Sequence, residues 1–133
     1  MAELFQLQIV SPNRVFYEGE ASMVEMNTAD GEIGVYAKHI PLTTVLAPGI
    51  VVIHEEAEVK FAAIHSGFAV IMPDKVTLMA EVAEWPDEID IDRAEEAKTR
   101  AEKRLSEADA STDIARAELS LRRALTRLEV GQK

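Results

Sequence analysis

The chain has 133 residues, no cysteine and a formal net charge of −10. This length is enough for one domain, or a small domain with an appendage, to bury a core without disulfides. Because nucleic-acid binding needs a basic footprint, the acidic residues 1–87, with four basic and thirteen acidic side chains, argue against it.

No apolar run approaches the roughly 20 residues that span a bilayer, and the N-terminus lacks a cationic-then-apolar signal. We therefore expect a soluble chain that reaches a membrane only through partners. Residues 88–133 carry ten of the basic side chains against eleven acids, so anion binding, if it occurs, belongs to this part.

The N-terminal two thirds of the chain consist of short apolar stretches between turn residues. In the first stretch, Phe5, Leu7 and Ile9 alternate with glutamines, which is the period of a half-buried strand. Further stretches follow at 15–17, 22–26, 33–36, 50–53, 58–64, 68–71 and 76–80. Many short strands with turns between them predict an all-β sandwich or flattened barrel.

A boundary follows the last predicted strand. Pro86 pushes the residue before it out of the helical region, so strand geometry ends there. Trp85 is predicted to pack at this junction. We therefore divide the chain into a β domain at 1–84, a linker at 85–89 and a helical domain at 90–133.

The helical domain shows two apolar periodicities. Alanines and aliphatics recur at intervals of three and four residues from Ile91 to Ala108, and again from Ile114 to Leu128. Each set lies on one face of an α-helix. The connection is short, so the helices are expected to turn back on each other as an antiparallel α-helical hairpin.

The ends of both helices carry capping candidates. Asp90 or Asp92 could cap and charge the first helix, and Asp113 or Thr112 could cap the second. Gly131 follows the last periodic residue, where a left-handed C-cap costs least.

The predicted hairpin gathers arginines from both helices. Arg93, Arg100 and Arg104 share one side of the first helix, and Arg123 and Arg127 share one side of the second. Arginine forks suit polyphosphate oxygens, and nearby carboxylates can accept hydrogen bonds from a ribose hydroxyl or an exocyclic amine.

An alternative interpretation is a solvated helix face with ion pairs one turn apart, such as Glu96–Arg100 and Glu118–Arg122. The residues alone leave both interpretations open. Motifs for phosphate loops, dinucleotide binding, nucleophile elbows and zinc proteases are absent, and the three histidines are far apart in sequence. We predict that the chain is not itself an enzyme.

The order of these parts resembles the epsilon subunit of F-type ATP synthases over essentially the whole chain. The stretches that carry the resemblance are G-E-I-G-V at 31–35, H-I-P-L at 39–42, H-S-G-F at 65–68, V-T-L-M-A-E at 76–81, R-A-E-L at 116–119 and L-T-R-L at 125–128. One departure is Ala37-Lys38 before His39, where many relatives carry a glycine.

The resemblance implies a central-stalk, or rotor, subunit of a proton-translocating F-type ATP synthase. Its partners would be the gamma subunit, the c-subunit ring and, through an extended hairpin, the alpha/beta catalytic head, where the hairpin impedes ATP hydrolysis. The location would be peripheral, on the cytoplasmic side of a bacterial cell membrane. Two other classes remain open, namely a freestanding ATP-sensing module and a helical-hairpin interaction module.

Some bacterial members of this family bind ATP as a regulatory ligand in the folded form, through an I/L-D-x-x-R-A motif. Residues 89–94, I-D-I-D-R-A, match it fully. The resemblance implies a nucleotide site at Glu84, Ile89, Asp90, Arg93, Ala94, Arg100, Arg123 and Arg127.

Overall fold

The structure is a computed structural model that describes residues 3–133. Within this range eight strands come first, a 3₁₀ turn follows, and two α-helices complete the chain. The strands are β1 (Phe5–Ser11), β2 (Arg14–Ala21), β3 (Met23–Thr28), β4 (Gly31–Tyr36), β5 (Leu42–Leu46), β6 (Gly49–His54), β7 (Val59–Ile71) and β8 (Lys75–Glu84). The turn is Pro86–Glu88, and the helices are α1 (Ile91–Ser106) and α2 (Ile114–Gly131).

All eight strands belong to one sheet in the order β2-β1-β8-β7-β5-β3-β4, and β6 pairs with both β3 and β7. Only β1 and β8 run parallel among the pairs of the described range. Strands β5 and β6 pair with β7 in one continuous register, in which Leu46 faces Gly67 and Gly49 faces Ile64. They are therefore two halves of one interrupted strand. The predicted β-sandwich or flattened barrel is confirmed.

The core lies between the inner faces of this folded sheet. Phe5, Leu7 and Ile9 are buried in β1, as their alternation predicts, and Val76 and Leu78 are buried in β8. Each fully buried aliphatic side chain of this kind stabilises the fold by about 1.5–3 kcal/mol. The β domain therefore has a hydrophobic core of its own, built without the helices.

Strand β7 differs from the prediction, which placed a turn at Ser66-Gly67 between two strands. It is one strand of 13 residues. Ser66 and Gly67 have φ of 69° and 135°, so they form a kink inside the strand. A Cβ at Gly67 would lie 2.0 Å from the main-chain oxygen of Met79, so the close approach of β8 requires glycine here.

The junction after β8 is fastened to β2. The ring of Trp85 stacks on Phe16 with their centroids 4.1 Å apart. Glu88 Oε1 accepts hydrogen bonds from the Trp85 main-chain N–H at 2.9 Å and from Arg14 at 2.7 Å. The 3₁₀ turn is therefore held against the β domain.

Helices α1 and α2 pack on each other as an antiparallel hairpin, and this confirms the prediction. The seam between them contains the buried alanines Ala94 and Ala101 of α1 and Ala117 and Ala124 of α2. Alanine side chains let helices approach closely but bury little area each. Within the described range, neither helix is long and apolar enough to cross a bilayer.

Both helices begin at an aspartate cap. Asp90 Oδ1 accepts from the main-chain N–H of Arg93 at 3.1 Å, and Asp113 Oδ1 accepts from that of Arg116 at 3.0 Å. These contacts satisfy backbone donors that would otherwise be unpaired in the first turn. Of the alternatives left open by the sequence, the structure selects Asp90 and Asp113.

The prediction of a left-handed C-cap at Gly131 was wrong. Gly131 is the last residue of α2 and lacks a positive φ. A Cβ there would lie 2.3 Å from Ile91 Cδ1. Glycine is therefore needed here because the start of α1 lies close to the end of α2, not because the backbone adopts a left-handed conformation.

Helix α2 lies on the β domain, where it contacts β6, β7 and the 3₁₀ turn, whereas α1 packs mainly on α2. Thr126, Leu128 and Val130 are buried in this contact region. At the end of the chain, Lys133 Nζ lies 4.9 Å from the centroid of the Phe61 ring. The hairpin is thus docked mainly through α2.

Candidate functional site

A groove runs along the open side of the hairpin between α1 and α2. Its first compartment, next to the β domain, has a volume of about 370 Å³. The residues that line this compartment are Glu84, Glu88, Asp90, Arg93, Ala94, Ala97, Arg100 and Arg127. It therefore combines three carboxylates with three arginines.

A second compartment of about 260 Å³ continues toward the hairpin tip. Its lining residues are Ala97, Arg100, Ala101, Arg104, Ser120, Arg123, Ala124 and Arg127. The two compartments share Ala97, Arg100 and Arg127, so they form one continuous groove, called here the arginine groove. The second compartment contains four arginines and no acid among its lining residues.

Helical spacing explains why the arginines line one groove. Arg93, Arg100 and Arg104 are separated by seven and four residues, so they recur on one side of α1. Arg123 and Arg127 are one turn apart on α2. The intervening alanines are short enough to leave a channel between the helices instead of filling it.

The structure brings most of the predicted site residues together. Glu84, Asp90, Arg93, Ala94, Arg100 and Arg127 line the first compartment, and Arg123 lines the second. Ile89 lines neither compartment; its Cγ2 lies 3.5 Å from where a Cβ of Gly131 would stand. Six further lining residues were not among the predicted site residues, namely Glu88, Ala97, Ala101, Arg104, Ser120 and Ala124.

Glu84 is the centre of a polar cluster between β8, β7 and α2. Its Oε1 lies 2.8 Å from Arg127 Nε and 3.1 Å from Nε2 of His65, which is 1 % exposed. Burial alone raises the pKa of Glu84, but the hydrogen bonds from His65 and Arg127 outweigh burial and lower that pKa below its ordinary value. Glu84 is therefore held as a carboxylate.

The second arginine of α2 also contacts the β domain. Arg123 Nη2 donates to Ser66 Oγ at 3.5 Å, at the kink of β7. Two side-chain nitrogens of the described range are buried without a hydrogen-bond partner, Arg123 Nε and His65 Nδ1. Both lie at the interface between α2 and the β domain, so this interface has hydrogen-bonding groups without a partner.

Most arginines of the arginine groove form no ion pair. Among residues 3–133, Arg127 is the only one of its five arginines with a carboxylate within salt-bridge distance. The two ion pairs given as examples of the alternative interpretation, Glu96–Arg100 and Glu118–Arg122, do not form. Unpaired guanidinium groups that converge on a channel favour an anionic ligand.

A separate cleft of about 600 Å³ lies on the other side of α2, against the β3–β4 turn. It is lined by charges of both signs, with Arg122 and Lys133 near Glu32 and Glu129. This mixture of charges has no clear preference for an anion, so the arginine groove is the better candidate for an anion-binding site. In the described range, no cluster of three or more His, Asp or Glu side chains could hold a metal ion.

Comparison with known proteins identifies the class to which this fold and site belong. A family model described as "ATP synthase, Delta/Epsilon chain, beta-sandwich domain" matches residues 4–86. A second, described as "ATP synthase, Delta/Epsilon chain, long alpha-helix domain", matches residues 87–132. The chain belongs to the delta/epsilon chain family of ATP synthase.

Its relatives within that family are epsilon chains. The ATP synthase epsilon chain of Halalkalibacterium halodurans is 46 % identical over 125 residues, covering 93 % of this chain and 94 % of the relative. The ATP synthase epsilon chain of Caldanaerobacter subterraneus subsp. tengcongensis is 41 % identical over 134 residues, covering 100 % and 97 %. The resemblance inferred from the sequence is confirmed.

Solved structures share the fold. A chain of the Euglena gracilis mitochondrial ATP synthase (OSCP/F1/c-ring) superposes with a TM-score of 0.83 at 22 % identity, covering 98 % of this chain and 82 % of that chain. A chain of the Tetrahymena thermophila mitochondrial ATP synthase (central stalk/c-ring) gives a TM-score of 0.57 at 12 % identity, covering 98 % and 95 %. At these identities the likeness concerns the fold alone.

Proposed function

We propose that this chain is the central-stalk subunit of a proton-translocating F-type ATP synthase, peripheral on the cytoplasmic side of a bacterial membrane. The β domain joins the gamma subunit and the c-subunit ring, so that the chain turns with the rotor. The hairpin regulates ATP hydrolysis and carries no catalytic group. Family membership over the whole chain is the observation that carries this proposal.

An apolar strip on the outside of the sheet supports the docking role. One row of cross-strand neighbours crosses β2, β1, β8, β7 and β5. In this order its residues are Val15, Val10, Met79, Phe68 and Val45. Four of the five are large exposed hydrophobic side chains, and Phe68 is 53 % exposed. A contiguous apolar row on an outer face marks a protein interface. We assign this strip to the gamma subunit.

The arginine groove supports a regulatory role for ATP. Its carboxylates suit the donors of a nucleoside, and its arginines suit a triphosphate. One wall, Glu84, belongs to the β domain, whereas the arginines belong to the hairpin. ATP would therefore bind only while the hairpin is docked.

Two hairpin positions of similar free energy are compatible with this packing. The alanine seam contributes little burial, and Ala-, Glu- and Arg-rich helices keep their helicity when separated if another surface covers the apolar stripe. A ligand that binds only the docked form stabilises it by RT ln(1 + [L]/Kd), about 2.7 kcal/mol at a hundredfold excess over Kd. Loss of ATP would release the hairpin toward the alpha/beta head, where it brakes hydrolysis.

The docking role is tested by co-expression with the gamma subunit of the same synthase. Phe68→Glu places a charge in the middle of the strip and should reduce capture of gamma by at least about tenfold. Val59→Glu is the matched control, because Val59 is also exposed, at 46 %, but lies outside the strip. Equal capture by both variants would contradict the assignment of the strip.

The regulatory role is tested by titrating the full chain with ATP in a calorimeter. Binding to the isolated chain together with capture by gamma supports the rotor subunit with an ATP-sensitive hairpin. ATP binding without capture would favour a freestanding ATP-sensing module. Capture of gamma by a chain that ignores ATP would leave the hairpin as an interaction element without a ligand.

A further inference from the structure

We infer that the cleft between α2 and the β3–β4 turn is a second ligand site, and that it binds a short peptide of about three residues with both ends free. Its volume of about 600 Å³ lies within the range of small-ligand pockets, about 300–1,000 Å³. It shares no lining residue with the arginine groove, so this inference does not depend on ATP binding. The cleft is called here the mixed-charge cleft. Its lining includes Asn27 and Glu32 of the β domain and Arg122, Thr126, Glu129 and Lys133 of the helical domain.

The mixed-charge cleft holds two cations and two acids that do not pair with each other. Among residues 3–133, neither Arg122 and Lys133 nor Glu32 and Glu129 have an opposite charge within salt-bridge distance. A ligand with charges of one sign would meet like charges in the same cleft. The complementary ligand therefore carries one charge of each sign.

The spacing of the charges on α2 sets the length of this ligand. Arg122, Thr126 and Glu129 recur at intervals of four and three residues, so they share one face of the helix. The seven-residue step from Arg122 to Glu129 spans about 10.5 Å along the helix axis. An extended peptide rises about 3.3–3.6 Å per residue, so three residues cover the same distance.

The direction of the peptide follows from the two cations. The Nζ of Lys133 lies 4.9 Å from the centroid of the Phe61 ring, so its charge already has an aromatic neighbour. The guanidinium of Arg122 has no such contact and can hold a carboxylate in a two-point fork. The terminal carboxylate therefore belongs at Arg122 and the terminal ammonium at Glu129.

Polar groups without partners lie between these charges. Thr126 is 8 % exposed, and its hydroxyl has no hydrogen-bond partner in the part of the chain that the structure describes. The side-chain amide of Asn27 is also unpartnered in this range and lies over Gly49, where a Cβ would stand 2.0 Å from Asn27 Nδ2. Buried polar groups normally have partners. The N–H and C=O groups of a peptide backbone supply donors and acceptors for both.

The walls of the mixed-charge cleft belong to different domains. Asn27 and Glu32 are on β3 and β4, whereas Arg122, Thr126 and Glu129 are on α2. A peptide in the cleft contacts both, so it stabilises the docked hairpin from the side opposite the arginine groove.

The test is calorimetry on the full chain with three probes: triglycine, triglycinamide, which lacks the carboxylate, and N-acetyltriglycine, which lacks the ammonium. The wild type should bind triglycine at least about tenfold more tightly than either blocked peptide, because each loses one charge-assisted contact. Arg122→Gln should weaken triglycine binding by about tenfold and abolish the preference over triglycinamide only. Glu129→Gln should abolish the preference over N-acetyltriglycine only.

Arg116→Gln is the matched control, because Arg116 is an exposed arginine of α2 outside the mixed-charge cleft, and it should change none of the three affinities. Thr126→Val, which removes the hydroxyl at nearly constant size, should weaken all three peptides by about threefold to tenfold. A wild-type chain that does not bind triglycine, or that binds the three peptides equally, would overturn the inference. Equal losses in Arg122→Gln and Arg116→Gln would overturn it as well, since binding would then follow net charge alone. None of these results bears on the proposed ATP site, whose residues lie outside this cleft.

Discussion

Asp90 combines a structural contact with a proposed binding role. Its Oδ1 already accepts from the main-chain N–H of Arg93, and this cap fixes the start of α1. The same carboxylate lines the first compartment of the arginine groove. Loss of Asp90 could therefore act on a ligand directly or through the frayed helix end.

Two substitutions separate these effects. Asp90→Ala removes both roles, whereas Asp90→Ser keeps a capping oxygen and removes the charge. Both should weaken ATP binding by at least about tenfold in calorimetry, as should Arg93→Ala. Only Asp90→Ala should also lower helix stability, by about 1 kcal/mol. Full recovery of ATP affinity in Asp90→Ser would show that Asp90 acts through capping.

The lowered pKa of Glu84 predicts a pH dependence of hairpin docking. Its folded pKa lies below the ordinary value of 4.5, mainly because the contacts of His65 and Arg127 overcome burial. The stabilisation is therefore complete above pH 4.5 and is lost as the pH falls through the depressed pKa. The difference in urea stability between the wild type and Glu84→Gln should shrink below pH 4.5. The control Glu102→Gln, at an exposed position of α1, should show no such change. A stability difference between the wild type and Glu84→Gln that does not depend on pH would contradict the prediction.

For single residues, the sequence predicted where the arginines lie but not which residues contact them. Helical spacing alone places Arg93, Arg100 and Arg104 on one side of α1. The contact of His65 with Glu84 was not predicted, because it depends on the pairing of β7 with β8. No local pattern around residue 65 carries that information.

The hairpin depends on the small size of its seam residues. Ala101 and Ala124 are each 1 % exposed between the helices. A larger side chain at either position would either enter the second compartment or push the helices apart. Overpacking of this kind typically costs about 1–3 kcal/mol. Because Ala101 and Ala124 also line the second compartment, the arginine groove is sensitive to volume changes at both positions.

Ala101→Leu should force the helices apart and weaken ATP binding while the β domain keeps its stability. Glu102→Leu is the matched control, since it adds the same leucine to an exposed position of α1. Calorimetry with ATP and a distance label across the hairpin are the measurements. Tight ATP binding in Ala101→Leu with an unchanged distance would mean that the seam is not closely packed.

The elements were predicted where periodicity was strong. The helices and most strands follow from apolar spacing, but β5 was missed because its residues Leu42–Leu46 are largely exposed and show no clear alternation. Ser66 and Gly67 have turn chemistry, and yet β7 continues through them because pairing with β5, β6 and β8 on both sides outweighs the local preference. Tertiary pairing decides such cases.

The two domains of the chain are predicted to be separable. The β domain has its own core, so removal of residues 90–133 should leave it folded and able to join the gamma subunit. Circular dichroism and gamma capture are the measurements, and relief of inhibition is expected in the assembled enzyme. A folded truncated chain that fails to assemble would contradict the division of roles between the domains.

The contacts that fasten the 3₁₀ turn to the β domain would limit the proposed movement of the hairpin. Trp85 is stacked on Phe16 and Glu88 is paired with Arg14, so the chain is fixed up to Glu88, and α1 begins at Ile91. Only Ile89 and Asp90 remain as a hinge between the 3₁₀ turn and α1. Two residues provide four soft torsions, each restricted to a few sterically allowed wells. With so short a hinge, a hairpin that undocks as proposed would rest in a few discrete orientations instead of sweeping a continuous arc, and it would pivot from the same point on every turn of the rotor.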